Sequence, residues 1–172
     1  MVKAVKNKIS VLLPGSYDPM TLGHLDVIRR ASETYEKVYA ALLINPAKKY
    51  LFSREDRIKI AELSCAELEN VTVVFSEGYT ADLARDLGCA AIVKGIRNQK
   101  DLEYEQGMAR FNEERVPGLK TEFLTSGEGF EQVSSTLVRQ LLFEGRLDEA
   151  GKYLHRSVAA ALISGEIKYE ND

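Results

Sequence analysis

The residues best suited to chemistry lie between Gly15 and His24, directly after an apolar run that is predicted to be a strand. Apolar side chains then recur at helical spacing, so this segment turns from a strand into a helix. A glycine-containing turn at such a junction exposes backbone N–H groups and the positive end of a helix dipole, which together suit a phosphate. His24 opens the helix and brings an imidazole to the same place, as a cation or a hydrogen-bonding group. The segment therefore favours chemistry on a phosphate.

Further cations and hydroxyl groups follow the other predicted strands. They are Lys48 after the second strand, Thr80 after the third, Lys94 and Arg97 after the fourth, and Ser134–Thr136 after the fifth. In an open parallel sheet, ligands bind beyond the carboxyl ends of the strands, so the fold would gather these groups into one pocket. No carboxylate general base is evident among them. The set suits phosphoryl or nucleotidyl transfer, in which positioning and charge neutralisation do most of the work.

The elements that must position these residues alternate between strand and helix. We predict strands at 9–13, 38–44, 71–75, 90–93 and 121–124, and helices at 23–35, 53–68, 81–87 (capped by Thr80), 101–114, 134–144 and about 157–163. Alternation with short connections is typical of a Rossmann-like α/β fold, a doubly wound five-stranded parallel sheet, here with a helical C-terminal part. We predict one domain over 1–172, with its core at about 9–163 and a frayed polar tail at 166–172.

Bulk composition excludes several classes of protein. The chain has 172 residues, a net charge of −3 and a pI near 5.6, which argues against a nucleic-acid binder. No apolar stretch approaches the length of a membrane span, and no signal peptide is evident, so we expect a cytoplasmic protein without a membrane partner. Cys65 and Cys89 lie 24 positions apart and are expected to be buried thiols, since they form neither a zinc motif nor a disulfide framework.

Four motifs in order resemble those of the bacterial phosphopantetheine adenylyltransferase family, within the nucleotidylyltransferase superfamily. The family's G-[ST]-F-D-P-x-T-x-G-H pattern matches Gly15–His24, and R-G-[LI]-R matches Lys94–Arg97. The D-[FY]-E-Y-E pattern matches Asp101–Glu105, and [IV]-S-S-[ST] matches Val133–Thr136. The first motif alone marks only the superfamily. All four at this length, over roughly residues 9 to 160, point to this member.

The resemblance implies a reaction and its participants. The phosphate of 4′-phosphopantetheine would attack the α-phosphorus of ATP in line, giving dephospho-coenzyme A and pyrophosphate with no covalent intermediate. The resemblance implies Mg²⁺ bound alongside ATP, with no protein residue assigned as a metal ligand, and a homohexamer. It also makes coenzyme A a candidate feedback inhibitor in competition with phosphopantetheine.

Residue roles follow from the same resemblance, position by position. His24 matches the residue that stabilises the transition state, and Lys48 is assigned to catalysis with it. The phosphopantetheine side is assigned to Ser16, Lys48, Thr80 and Lys94. The ATP side is assigned to Ser16, Tyr17, His24, Gly95, Ile96, Arg97, Glu105, Phe130, Glu131, Gln132, Val133, Ser134, Ser135 and Thr136.

Several positions depart from the family pattern. Lys94 stands where the family commonly has arginine, so the charge is kept and the two-pronged geometry is lost. Tyr17 replaces phenylalanine, which leaves a packing role intact. The stretch 128–132 lacks the aromatic residue often found before the serine motif, although Phe130 would serve there.

Two alternatives stay open on the sequence. The first is a different nucleotidyltransferase of the superfamily that makes a dinucleotide or a CDP-alcohol. The second is a catalytically silent nucleotide-binding regulator, which would bind ATP without releasing pyrophosphate. A nicotinamide dehydrogenase is disfavoured because the first turn lacks the G-x-G-x-x-G pattern.

Overall fold

A computed structural model describes residues 5–170, which fold around one parallel sheet. The strands are β1 (Asn7–Gly15), β2 (Tyr35–Leu43), β3 (Val71–Ser76), β4 (Cys89–Ile96) and β5 (Lys120–Thr125). The helices are α1 (Leu22–Thr34), α2 (Arg54–Cys65), α3 (Thr80–Asp86), α4 (Gln99–Arg115), α5 (Ser135–Phe143), α6 (Leu147–Gly151) and α7 (Arg156–Ser164). The order is β3-β2-β1-β4-β5. The predicted Rossmann-like five-stranded parallel sheet with a helical C-terminal part is confirmed.

Helices cover both faces of the sheet, which explains the apolar runs of the central strands. Successive strand residues point to opposite faces. Val11 and Leu13 pack in a large cluster with residues of α1, α2 and α5 to α7. Leu12 and Ile92 belong to a smaller cluster with Ala81 of α3. Because both faces are buried, the central strands are apolar throughout rather than alternating.

The strand order reverses between β1 and β4, and there the sheet opens. The paired residues of β1 and β2 continue to Gly15↔Leu42, and those of β4 and β5 to Ile96↔Thr125. Between β1 and β4 the pairing ends at Leu12↔Ile92, before either strand ends. A crevice therefore forms at the carboxyl ends of β1 and β4, the position where open α/β sheets bind ligands.

Two predicted boundaries are wrong in ways that affect this crevice. Strand β4 does not end at Val93 but continues to Ile96, so Lys94 and Gly95 lie within the strand instead of after it. Thr80 is not a helix cap: it is the first residue of α3, and the N-cap position belongs to Tyr79, which forms no side-chain capping bond.

The C-terminal segment also differs from its prediction as a frayed tail. The α7 helix ends at Gly165 in a left-handed conformation, and the Ile167 N–H donates to the Ala161 carbonyl at 3.1 Å. Ile167 is only 2% exposed, and Tyr169 meets the Phe52 ring at a centroid distance of 6.0 Å. Ile167 and Tyr169 are therefore packed on the core, while Glu166 and Lys168 are exposed. Residues 171 and 172 lie outside the described part of the chain.

Within residues 5–170, no helix combines the length and the apolar character that a bilayer crossing requires.

Candidate active site

A cavity of about 320 Å³ lies at the carboxyl ends of β1 and β4. Its walls come from the β1–α1 turn, the end of β4, the start of α4 and the loop into α5. Of the residues predicted for the site, the cavity is lined by Ser16, Tyr17, His24, Lys94, Gly95, Arg97, Glu105, Phe130, Val133, Ser134, Ser135 and Thr136. The structure thus brings together side chains that are more than 100 positions apart in the sequence.

Buried contacts hold the β1–α1 turn in place. The Tyr17 hydroxyl donates to the Leu13 carbonyl at 2.8 Å, although Tyr17 has a φ of +45°, which is uncommon for a residue other than glycine. The Asp18 carboxylate, 4% exposed, accepts the N–H groups of Leu51 and Phe52 at 2.8 and 3.0 Å. The turn is therefore fixed both to its own strand and to the segment before α2.

Thr21 orients His24 through a reciprocal capping box at the start of α1. The Thr21 N–H donates to His24 Nδ1 at 3.0 Å, and the Thr21 side chain accepts from the His24 N–H. Because Nδ1 accepts a backbone N–H, a neutral ring must carry its proton on Nε2. The ring also meets Tyr17 edge to face, with centroids 5.1 Å apart. One rotamer and one tautomer of His24 are thereby selected.

Burial, together with the nearby cations Lys94 and Arg97, lowers the pKa of His24 to about 4. At neutral pH the imidazole is therefore uncharged. Of the two roles that the sequence left open, cation or hydrogen-bonding group, the structure favours an Nε2–H donor. Positive charge in the cavity comes from other side chains.

Two basic side chains supply that charge, and acidic residues of α4 balance both. Lys94 Nζ lies 3.3 Å from Glu105 Oε1 and donates to the Pro14 carbonyl at 3.1 Å. The Arg97 guanidinium lies 3.1 Å from Asp101 Oδ2. Each pair combines a residue at the end of β4 with one on the first turns of α4. A polyanionic ligand would compete with these carboxylates for the cations.

Two helices point their N-termini at the cavity. Gly23 and His24 of α1 line it, as do Ser135 and Thr136 of α5. Ser134 caps α5 by accepting the Leu137 N–H at 3.1 Å, as predicted, and Ser135 Oγ donates to the Pro19 carbonyl at 2.7 Å. The positive ends of two helix dipoles and their free N–H groups therefore face one space, an arrangement that favours phosphate groups.

The loop between β5 and α5 closes one side of the cavity and packs tightly. The Ser126 N–H donates to the Ile96 carbonyl at 2.9 Å. A Cβ placed on Gly127 would lie 2.7 Å from Asp26 Oδ2, so a larger residue there would push the loop away from α1. This close approach brings Phe130 and Val133 to the cavity wall.

Five predicted site residues do not line this cavity. They are Lys48, Thr80, Ile96, Glu131 and Gln132. Ile96 is the last residue of strand β4, and its side chain is buried. Lys48 is exposed in the loop after β2. Their assigned roles remain predictions.

Sequence reasoning missed two polar residues of the cavity wall, Asp101 and Ser126. Asp101 opens the third motif, where only Glu105 was assigned a role, so the motif itself carried the signal. Ser126 follows β5, a position typical of ligand contacts in such sheets.

The chain is similar in sequence and in fold to several known proteins. A model of the cytidylyltransferase-like family matches residues 12–141. The phosphopantetheine adenylyltransferase of Symbiobacterium thermophilum is 41% identical, covering 82% of this chain and 87% of the relative. That of Actinobacillus succinogenes is 40% identical, covering 81% and 88%. A Vibrio parahaemolyticus structure, provisionally assigned as a nicotinate-nucleotide adenylyltransferase, has a TM-score of 0.62 at 19% identity, covering 91% of this chain and 99% of that one. That likeness supports the fold alone.

Proposed function

The chain belongs to the phosphopantetheine adenylyltransferase family of cytidylyltransferase-like enzymes, and we propose that it transfers the adenylyl group of ATP to 4′-phosphopantetheine. The products are dephospho-coenzyme A and pyrophosphate, and the reaction is reversible. The step belongs to coenzyme A biosynthesis.

The observation that carries this proposal is the combination of His24 Nε2–H, two helix N-termini and two cations around one cavity. These groups bind and neutralise phosphates, and none of them is placed to remove a proton. An enzyme that activated a hydroxyl or a water would need a base. A phosphate monoester is already an anionic nucleophile, so an adenylyl transfer to it requires only positioning and neutralisation.

The mechanism follows as a direct displacement. A phosphate oxygen of phosphopantetheine forms a bond to the α-phosphorus as the bond from that phosphorus to the β-phosphate oxygen breaks. Negative charge increases on the α-phosphoryl oxygens, where the His24 Nε2–H donates. Lys94 and Arg97 neutralise the approaching phosphates once these compete with Glu105 and Asp101. Pyrophosphate leaves with both electrons of the broken bond.

The substrate assignments extend this scheme to both sides of the reacting phosphorus. Ser16, Lys48, Thr80 and Lys94 hold phosphopantetheine. The ATP side is formed by Ser16, Tyr17, His24, Gly95, Ile96, Arg97, Glu105 and residues 130–136. All of these residues except Lys48, Thr80, Ile96, Glu131 and Gln132 line the same cavity, which supports a common reaction site.

We include Mg²⁺ in the proposal as a companion of ATP. Within residues 5–170 no three His, Cys, Asp or Glu side chains are grouped to hold a metal, and the cavity carboxylates Asp101 and Glu105 are paired with cations. This donor set fits an ion held mainly by triphosphate oxygens and water, as Mg²⁺ often is. When bound, the ion would neutralise phosphate charge.

The test is an acceptor panel with identification of the products. Purified protein is incubated with Mg²⁺-ATP and either phosphopantetheine, nicotinamide mononucleotide or glycerol 3-phosphate, and the products are resolved by mass spectrometry. We expect pyrophosphate and dephospho-coenzyme A when phosphopantetheine is the acceptor, and no product with the other two acceptors. A product from another acceptor would indicate a different nucleotidyltransferase. Tight ATP binding without any product would indicate a regulator.

The proposal also includes a homohexamer, which the exposed surface of α4 supports. This 17-residue helix buries only Asn112, whereas Tyr104, Met108 and Phe111 are 67%, 39% and 44% exposed. These three residues share one face of the helix, since they are four and three positions apart. Such an apolar face fits a second copy of the chain. Sedimentation of the protein and of Phe111→Glu should give hexamers and smaller species respectively; a monomeric wild type would contradict this part.

Regulation and location complete the proposal. Coenzyme A resembles the product, so we expect it to compete with phosphopantetheine; an unchanged rate at millimolar coenzyme A would refute this. We assign the protein to the cytoplasm, in keeping with Cys65 and Cys89, which are both buried free thiols.

A further inference from the structure

The loop from Asn45 to Phe52 carries Lys48 and is held only at its base. Residues 45–49 are exposed, whereas Leu51 and Phe52 are buried. The Lys48 N–H donates to the Asn45 carbonyl at 3.0 Å, and Asn45 Oδ1 accepts the Ala47 N–H at 2.9 Å. These bonds shape the loop locally and do not attach it to the rest of the protein. Its orientation depends on the contacts of its two ends.

Tyr50 joins these two ends. Its hydroxyl accepts the N–H of Asn45, the residue at which the loop begins, at 2.8 Å. Its ring lies against the guanidinium of Arg57, with 3.8 Å between the ring centroid and Cζ. Cation–π contacts of this kind contribute more when the cation is desolvated. Tyr50 therefore anchors the loop on α2.

Arg57 is unusual because it is buried without a matching set of hydrogen bonds. It is 2% exposed, and its Nε has no hydrogen-bond partner among the described residues. Its Nη1 donates to the Ser16 carbonyl at 3.0 Å. A buried guanidinium is costly to desolvate, so one that is held by a single carbonyl and a ring face indicates a role beyond stability.

These contacts form one continuous path from the β1–α1 turn to the loop from Asn45 to Phe52, called the lysine loop below. It runs from the Ser16 carbonyl to the Arg57 guanidinium, then to the Tyr50 ring, and from the Tyr50 hydroxyl to Asn45. The Asn45 carbonyl in turn holds the Lys48 N–H. The path links Ser16 and Lys48, two of the residues assigned to phosphopantetheine. Ser16, which is also assigned to the ATP side, is the one member of the path that lines the cavity.

We propose that Arg57 and Tyr50 are positioning residues for the acceptor phosphate, and that they set the place of Lys48 relative to Ser16. The inference rests on the proposed function for the identity of the acceptor. It rests on the structure alone for the link between the turn and the loop. Neither residue lines the reaction cavity. They act through the residues that they hold.

Three variants test the link at different strengths. Tyr50→Leu removes both the ring and the hydroxyl, Tyr50→Phe removes only the hydroxyl, and Arg57→Lys keeps the charge without the planar guanidinium. We expect the KM for phosphopantetheine to rise about tenfold in Tyr50→Leu and roughly threefold to fivefold in Tyr50→Phe, as for a lost hydrogen bond. The KM for ATP should change by less than about twofold.

A second measurement, trypsin cleavage, reports the opening of the loop without any substrate. Lys48 and Lys49 are exposed trypsin sites, and cleavage under native conditions reports how often a segment opens. We expect cleavage after these lysines to become at least about fivefold faster in Tyr50→Leu and in Arg57→Lys. Thermal unfolding of each variant shows whether the whole protein has been weakened instead.

The same helix offers a matched control. Arg54, at the start of α2, lies over the Phe75 ring at 3.9 Å, a geometry that closely resembles that of Arg57 and Tyr50. Arg54 is exposed, and its guanidinium pairs with Glu77 instead of a residue of the 45–52 loop. Arg54→Met should change neither the KM for phosphopantetheine nor trypsin cleavage after Lys48 and Lys49.

The outcomes distinguish the positioning role of Arg57 and Tyr50 from the proposed function. Faster cleavage together with a selective rise in the KM for phosphopantetheine would support the proposal. Equal rises in both KM values, or faster cleavage with an unchanged KM for phosphopantetheine, would overturn it, as would an unaltered loop. A wild type that forms no product with phosphopantetheine would refute the proposed function, and the cleavage rates would still decide whether Arg57 and Tyr50 hold the loop.

Discussion

The β1–α1 turn and the loop after β2 are assigned to the same reaction, yet the fold holds them very differently. Tyr17 and His24 of the turn are fixed by contacts with Leu13 and Thr21. Residues 46–49 of the loop are exposed, and the tie of the loop to the turn runs through Tyr50, Leu51 and Phe52 at its base. One wall of the site is preorganised, whereas the other can adjust.

This difference indicates a division of labour. Donors that stabilise a transition state are most effective when they need no rearrangement during the reaction. A cation that captures an incoming phosphate tolerates more motion, because its order is gained on binding. Changes in the turn should therefore act on kcat, and changes in the loop should act on the KM for the acceptor.

The largest effect is expected for His24→Ala. Loss of a positioned transition-state donor costs about 3–4 kcal/mol, so kcat should fall roughly a hundredfold to a thousandfold. Steady-state pyrophosphate release measures it. His155→Ala is the control, because His155 is the other histidine of the chain and only caps α7. Near-normal turnover of His24→Ala would show that the β1–α1 turn does not supply the transition-state donor.

A smaller, selective effect is expected for Lys48→Ala. The KM for phosphopantetheine should rise roughly tenfold through loss of one charge-assisted hydrogen bond, while kcat changes little, because we expect the part of Lys48 in catalysis to be capture of the acceptor phosphate. Lys49→Ala should stay within about twofold of wild type, since no role is assigned to it. Initial rates at varied phosphopantetheine give both constants. If Lys48→Ala lowered kcat and left the KM unchanged, the contrast between turn and loop would fail.

Lys94→Arg sharpens the comparison at the fixed wall. Arginine could hold Glu105 and still present a second N–H to a phosphate, whereas Lys94 is a single point donor. We expect the KM for phosphopantetheine to fall by about threefold. If initial rates at varied phosphopantetheine gave a KM more than about tenfold above that of the wild type, the cavity would instead be shaped for lysine.

The smallest effect is expected from pH between 8 and 6. Burial and nearby cations lower the pKa of His24 to about 4, so the ring stays neutral over this range and kcat should vary by less than about twofold. Because the pKa is lower in the folded than in the unfolded state, stability contributed by neutral His24 is present above about pH 6.5 and is lost as the pH falls toward about 4. A pH–rate profile that breaks near 6.5 would contradict this.

Most of the fold could be predicted because its central strands are buried on both faces and are therefore apolar runs. The same pattern misplaced the end of β4: Lys94 interrupts the apolar run, yet it lies within the strand because its side chain faces the cavity. The C-terminal tail was misjudged for the opposite reason, since one buried Ile167 outweighs its polar neighbours.

The site could be predicted where its residues sit in one local motif. The Gly15–His24 segment runs from the end of a strand through a turn to the start of a helix, so its chemistry could be inferred from composition and order alone. The roles of Thr21, Arg57 and Tyr50 could not. They depend on which ring nitrogen accepts a hydrogen bond and on contacts between residues up to 41 positions apart.

The most direct test of the preorganised turn is a long-range ¹H–¹⁵N NMR correlation of the histidine rings, with His155→Ala used to assign the two histidines. The account predicts that His24 carries one proton, on Nε2, from pH 8 down to about 5. A proton on Nδ1, or titration of His24 near 6.5, would contradict it.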